Sequence, residues 1–211
     1  MDNFPLIALL YRQEESMNTD AITVRFVGPY ERCSETADVL ADYPYSQQRG
    51  IYFWAVQMLG DQYRISYIGI TKRSFYHRTK AHTINQLGGL YGIYDAEAMR
   101  CGELKVLWGG LWGRGRLDKL PEFIKQYETL ALHAKASLSV QKLFVAPLQC
   151  EARLMVRIEG AMTAVLRERR EASSLLPAGI RYGCRGHAEV PVNIRFELPC
   201  VVQGLPTEMA V

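Results

Sequence analysis

The feature that most restricts the fold is a pair of β-favouring runs joined by a turn. Gly50 to Leu59 (GIYFWAVQML) is rich in β-branched and aromatic residues, Gly60-Asp61 has turn chemistry, and Tyr63 to Ile70 (YRISYIGI) resumes the strand pattern. Two such runs around a short turn predict an antiparallel hairpin. Ser74 then stands where an N-cap belongs, ahead of Phe75-Tyr76-His77-Arg78-Thr79-Lys80-Ala81-His82, which continues without Gly or Pro to Gly88. A short helix is therefore expected directly after the hairpin.

The rest of the chain supplies the layers such a hairpin needs. Gly102 to Leu111 reads as a strand. Leu117 to Leu138 reads as a helix entered through Pro121, with apolar positions at Phe123, Ile124, Tyr127, Leu130, Leu132 and Leu138. Ser139 to Leu148 is a further strand. Glu151 to Arg170 has the clearest helical period: Leu154, Met155, Ile158, Ala161, Met162, Val165 and Leu166 share one arc, with Arg153, Arg157 and Glu168 opposite. Ala21 to Val27 is strand-like and is expected to end at Gly28-Pro29, while the Gly- and Pro-containing region after Pro177 is expected to be irregular, with a small edge strand at Val190 to Phe196. The expected fold class is α/β, a small, mainly antiparallel sheet flanked by helices. It divides into an N-terminal extension (1–48), a core (49–182) with a helical insertion at about 91–138, and a C-terminal tail (183–211).

A chain of 211 residues, 48% apolar and 22% charged, has the composition of one principal folded domain. Its net charge of +3 does not identify a partner, because phosphate binding depends on clustering rather than on totals. Five widely spaced cysteines, odd in number, fit neither a disulfide framework nor a zinc site and point to a cytoplasmic location. The apolar run Phe4 to Tyr11 is too short for a membrane span and follows no basic segment, so no membrane partner is expected.

Three features together match what phosphodiester hydrolysis requires: an activated water, a cation for the growing charge, and a carboxylate to hold a metal. Tyr52 and Tyr67 lie on the two hairpin strands, where antiparallel pairing can bring the phenols together. Arg78 and His82 are four residues apart and share a helix face. Glu159 borders the apolar arc beside Met155, Met162 and Leu166, where a carboxylate wants a partner and a divalent cation would serve. Taken singly, each has an ordinary reading: strand tyrosines pack, a helix arginine is solvated, and a glutamate pairs with a basic residue. Gly92-Ile93-Tyr94 repeats the first tripeptide without its companions and is read as accidental.

In the order GIY, YIG, helical Arg, His four residues on, and Glu on a later helix, the chain resembles the GIY-YIG nucleases. The likeness spans Arg49 to Tyr182 and is sharpest from Gly50 to His82, where Arg73-Ser74-Phe75 followed by Arg78 and His82 is similar to the restriction-type members. The resemblance implies a GIY-YIG-like fold and metal-dependent endonuclease activity on DNA, with RNA left open. It implies Tyr52 as the favoured water-activating residue and Tyr67 as the neighbour that orients water or phosphate, the division between them being open. It further implies Arg78 as the stabiliser of the transition-state phosphate, His82 as support for the phosphate or a tyrosine hydroxyl, and Glu159 as ligand to one Mg²⁺ or Mn²⁺.

Around this set, Lys72, Arg73, Lys80, Arg114, Arg116 and Asn193 are candidate nucleic-acid contacts. Arg114 and Arg116 belong to Gly109 to Arg116 (GGLWGRGR), which with Trp112 suits phosphate contact or base stacking. The insertion exceeds a minimal core and is a candidate for target recognition. Two alternatives stand beside the nuclease: a non-catalytic nucleic-acid-binding module of the same fold, and a protein-interaction domain presenting its two long helices. Oligomeric state and cleavage specificity are not set by the sequence.

Overall fold

The computed structural model describes residues 21–58, 60–112, 116–178, 183, 186 and 188–211; the run Phe4 to Tyr11 and Arg114 lie outside them. In chain order the elements are β1 (Ile22–Arg25), β2 (Val27–Glu31), β3 (Gly50–Gln57), β4 (Gln62–Thr71), α1 (Phe75–Leu87), β5 (Ile93–Tyr94), α2 (Ala96–Arg100) and β6 (Val106–Trp108). A 3-10 turn (Arg116–Lys119) leads into α3 (Leu120–Ser139), followed by β7 (Gln141–Pro147), α4 (Ala152–Glu168), β8 (Asn193–Glu197), β9 (Val201–Val202) and β10 (Glu208–Ala210). The fold is mixed α/β. None of the described helices is long and apolar enough to cross a membrane.

The hairpin forms as its sequence predicts. Gly60 and Asp61 both take positive φ, 76° and 56°, and the strands on either side pair antiparallel from Gly50↔Thr71 to Gln57↔Tyr63. On its other side β3 pairs antiparallel with β7, so it occupies the middle of a five-stranded sheet of order β2-β7-β3-β4-β9. Alternation along β3 then sorts its side chains. Ile51, Phe53 and Ala55 face α4 and join Met155, Ile158, Met162 and Leu166 in the main core, whereas Tyr52 and Trp54 face α1 and pack with Phe75, Leu143 and Val145. Each fully buried side chain of this size contributes about 1.5–3 kcal/mol.

Five expectations are corrected. The N-terminal strand does not end at Gly28-Pro29: β2 runs through it, with a register shift between Val27 and Tyr30. As an edge strand, β2 has no need of the N–H that proline lacks. Gly102 to Leu111 yields only the three residues of β6, because Gly102 and Gly110 turn the chain at positive φ and β5 offers two residues to pair with. The tail is more ordered than its glycines suggest: β8 pairs parallel with β1 and antiparallel with β10, burying Ile194 and Phe196. Finally, α3 buries Phe123, Leu130, Ala134 and Leu138 while Ile124, Tyr127 and Leu132 are exposed, so its apolar residues divide between two faces.

Arg157, expected on the wet side of α4, is buried as well. Its Nη2 donates to the main-chain oxygens of Val190 (2.7 Å) and Val211 (2.6 Å), tying the tail to the helix. Replacing it leaves both oxygens without a charged donor in a covered position. Arg157→Ala is expected to destabilise the fold by about 1–3 kcal/mol in denaturant unfolding; an unchanged midpoint would show that the tail is held by other contacts.

Candidate active site

The two motif tyrosines are placed by the hairpin and its irregularity. Tyr52 lies directly opposite Gly69, and Trp54 opposite Tyr67. Beyond Trp54 the register shifts and Ser66 has no partner, which leaves Ile65 and Ile68 in the main core while Tyr67 turns to the α1 face. Tyr52 and Tyr67 are thus diagonal neighbours, with ring centroids 6.0 Å apart. Gly69 makes this possible: a Cβ there would stand 2.7 Å from the Tyr52 hydroxyl and 2.8 Å from Cε1 of Tyr67. The glycine of the first tripeptide is equally constrained, since a Cβ on Gly50 would meet the carbonyl oxygen of Ala146 at 2.1 Å.

Helix α1 brings the cation and the imidazole. Its start is fixed by Ser74, whose hydroxyl accepts from the His77 N–H at 3.1 Å, and by the preceding segment, where Ser46 and Gln48 accept from the Tyr76 and Phe75 N–H groups. With the helix so anchored, Arg78 Nε donates to the Tyr52 hydroxyl at 3.2 Å, and that hydroxyl lies 3.4 Å from His82 Nε2. Burial, helped by Arg78 and Arg32, depresses the His82 imidazole to about 3, so it is neutral at ordinary pH. Burial first, and then the neighbouring Tyr67, raises the Tyr52 phenol well above its usual range.

Glu159 arrives from the opposite layer. It lies on α4, against the other face of the sheet, yet it influences both Arg78 and Tyr67 electrostatically. The outer edge of β4 pairs with β9 only at Gln62 and Tyr63. Partial burial pushes the Glu159 carboxyl up to about 7, against the pull of Arg78. Among the described residues no ion pair within 4.0 Å includes Glu159, and no cluster of three His, Cys, Asp or Glu side chains could hold a metal. A lone, partly desolvated carboxylate fits a hard cation that keeps most of its shell as water and substrate oxygens.

The structure therefore brings together Tyr52, Tyr67, Arg78 and His82, while Glu159, on α4 across the sheet, lies within electrostatic range of Arg78 and Tyr67 without a side-chain hydrogen bond or ion pair to them among the described residues. Tyr67, Arg78 and His82 line a cavity of about 620 Å³, while Tyr52 is fully enclosed. Arg78 also borders a shallower hollow of about 320 Å³ with Lys72, Arg73 and His77. Lys80 is engaged by Asp38 (3.4 Å) and by the Tyr76 hydroxyl (2.5 Å). Arg116 opens the 3-10 turn, and Asn193 begins β8 in the three-stranded sheet rather than in the one that carries the tyrosines.

One residue of this region is not visible in the sequence pattern. Arg32 is 1% exposed, stacks 3.5 Å from the Trp54 ring centroid, and donates to Gln141 Oε1 at 2.7 Å and more weakly to Gln86 and Thr83. Burial lowers it to about 9, so it stays charged. No ion pair among the described residues includes it, and it places a positive charge behind the cavity wall. It lies in a polar, aperiodic stretch that offers no signal.

No protein-family profile, curated protein or solved structure matches the chain.

Two outcomes test this geometry. Gly69→Ala is expected to lose about 1–3 kcal/mol in urea unfolding, because the enclosed tyrosine has nowhere to move; wild-type stability would contradict the wedge. Glu159 has a folded pKa above its ordinary 4.5, so its contribution to stability is full below 4.5 and fades as pH rises through about 7. In chelator, melting temperature should fall more between about pH 5 and about pH 8 for the wild type than for Glu159→Gln, and equal falls would show the carboxyl to be solvated.

Proposed function

We propose that this protein is a metal-dependent endonuclease of GIY-YIG type that hydrolyses phosphodiester bonds of DNA in the cytoplasm. The observation that supports it is the meeting, at one guanidinium, of groups far apart in the chain: Arg78 donates to Tyr52, Tyr52 reaches His82, and Tyr67 and Glu159 lie within electrostatic range of the same charge. A packing role for two tyrosines would not require an arginine and a glutamate from opposite faces of a sheet.

The chemistry follows from this arrangement. Commitment of Arg78 Nε to Tyr52 fixes the plane of the fork, so that its terminal amino groups can grip non-bridging phosphate oxygens where negative charge grows. Tyr67 lines the open cavity and is the phenol placed to orient an attacking water, while the enclosed Tyr52 positions Arg78 and passes its own hydrogen bond to His82. Glu159 would hold the Mg²⁺ or Mn²⁺ ion, whose chemistry when bound is to neutralise phosphate charge and to make a nearby water more acidic. Lys72 and Arg73, exposed along the adjoining hollow, would meet the backbone of the bound strand.

A second reading has an observation of its own. Leu117, Leu120, Ile124 and Tyr127 are exposed along one side of α3 and its lead-in, a stripe suited to a protein partner. It predicts no metal-dependent products.

Supercoiled plasmid, structured DNA and RNA, each incubated with Mg²⁺ or with chelator, should yield Mg²⁺-dependent cleavage products. Arg78→Ala and Glu159→Ala should each reduce cleavage by about 100-fold or more in a chain that still unfolds cooperatively; full activity in both would refute the assignment. Because Glu159 must be ionised to hold a cation, the rate should climb as pH passes through about 7, with the rise moving to lower pH as Mg²⁺ is increased. A flat profile over that range would remove Glu159 from the site.

A further inference from the structure

The cavity beside Arg78 is larger and more aromatic than a phosphoryl group needs. Its volume of about 620 Å³ falls among small-molecule sites, of about 300–1,000 Å³. Arg78, Tyr67 and His82 lie together at one part of the wall, and the insertion contributes Tyr91, Tyr94, Leu104 and Trp112. The aromatic rings are continuous: Trp54 stacks on Tyr67 at 4.5 Å, Tyr67 lies 5.4 Å from His82, His82 5.3 Å from Tyr91, and Tyr91 meets Trp112 edge-on at 6.2 Å. Trp112 is 66% exposed, an indole held in water beside an apolar hollow.

The back of the cavity is polar and immobilised. Gln86 and Gln141 line it, their carbonyl oxygens taken by buried Arg32 and their amide nitrogens directed to Ser137 Oγ, both at 3.3 Å. Arg32 thus adds positive potential behind the wall as well as rigidity. A ligand that matches this surface has a flat π face, polar edges, and a phosphate one bond path away for Arg78. A nucleotide has all three.

We propose that this cavity receives one unstacked nucleobase of the substrate strand, next to the phosphate held by Arg78. The inference rests on the nuclease reading and adds to it a mode of recognition. The insertion acts by gripping an extruded or unpaired base rather than by reading a duplex groove, so single-stranded and locally unpaired sites are favoured over continuous duplex, where unstacking must first be overcome.

The test is binding by fluorescence anisotropy of the full chain, in chelator so that no turnover occurs. A labelled single-stranded oligonucleotide is compared with a duplex of the same sequence and with a strand of equal length lacking every base. The wild type should bind the intact strand about 5- to 150-fold more tightly than the base-free strand, the equivalent of one stacked base. Trp112→Ala, at an exposed position, should close most of that gap. Leu104→Trp, which fills the hollow and keeps Trp112, should close it too, so the result does not depend on one variant.

Equal binding of intact and base-free strands by the wild type would overturn the proposal, as would a gap that persists in both variants, or tighter binding of duplex than of single strand. A mononucleotide that binds as tightly as the strand would also overturn it, showing a small-molecule site. If the wild type cleaves with Mg²⁺ but shows no dependence on bases, the nucleobase pocket alone falls; if it neither binds nor cleaves any nucleic acid, the nuclease reading falls with it.

Discussion

A tyrosine lying over a glycine sets the geometry from which the rest of the site follows. Tyr52 pairs across the hairpin with Gly69, and the missing Cβ there is the space its hydroxyl occupies. With that ring fixed and fully enclosed, its hydroxyl becomes a rigid acceptor for Arg78 and a rigid hydrogen-bonding neighbour of His82. The two tripeptides are therefore more than a label. One supplies the ring and the other the room for it, while Gly50 lets β3 press against β7 so that the pair sits in the middle of the sheet.

Charge is distributed around this ring in a way that few structural sites require. Arg32 is buried without a carboxylate partner among the described residues, Arg78 is exposed, and His82 is kept neutral near both. The Glu159 carboxyl, in electrostatic range of Arg78, is itself held near 7 by burial, so it adds little negative charge to the region until something ionises it. Such an arrangement suits an anionic ligand and a hard cation arriving together, as phosphodiester chemistry needs.

Much of this was legible in the sequence, and the reason is local. The hairpin, the N-cap at Ser74, the entry of α3 through Pro121 and the period of α4 are written in short windows, because turn chemistry and periodicity act over a few residues. The errors lay where partners come from far away. β2 passes through Gly28-Pro29 because it is an edge of β7, β8 is ordered because β1 and β10 flank it, and Arg157 is buried because the tail folds over α4. Apart from β10, which returns to β8 within the tail, none of those neighbours is close in the chain to the residue it changes.

By itself the sequence determined which side chains the site draws on and their local frames: Tyr52 and Tyr67 on paired strands, Arg78 and His82 on one helix face, Glu159 at the margin of an apolar arc. Only the tertiary structure decided that Glu159, on the other layer, lies within electrostatic range of Arg78, that Tyr52 is closed off while Tyr67 opens on a cavity, and that Arg32 stands behind it. Strand and helix periods fix direction within an element, whereas distances between elements are set by how buried faces pack and where a sheet edge is left open. Those are properties of the assembled chain.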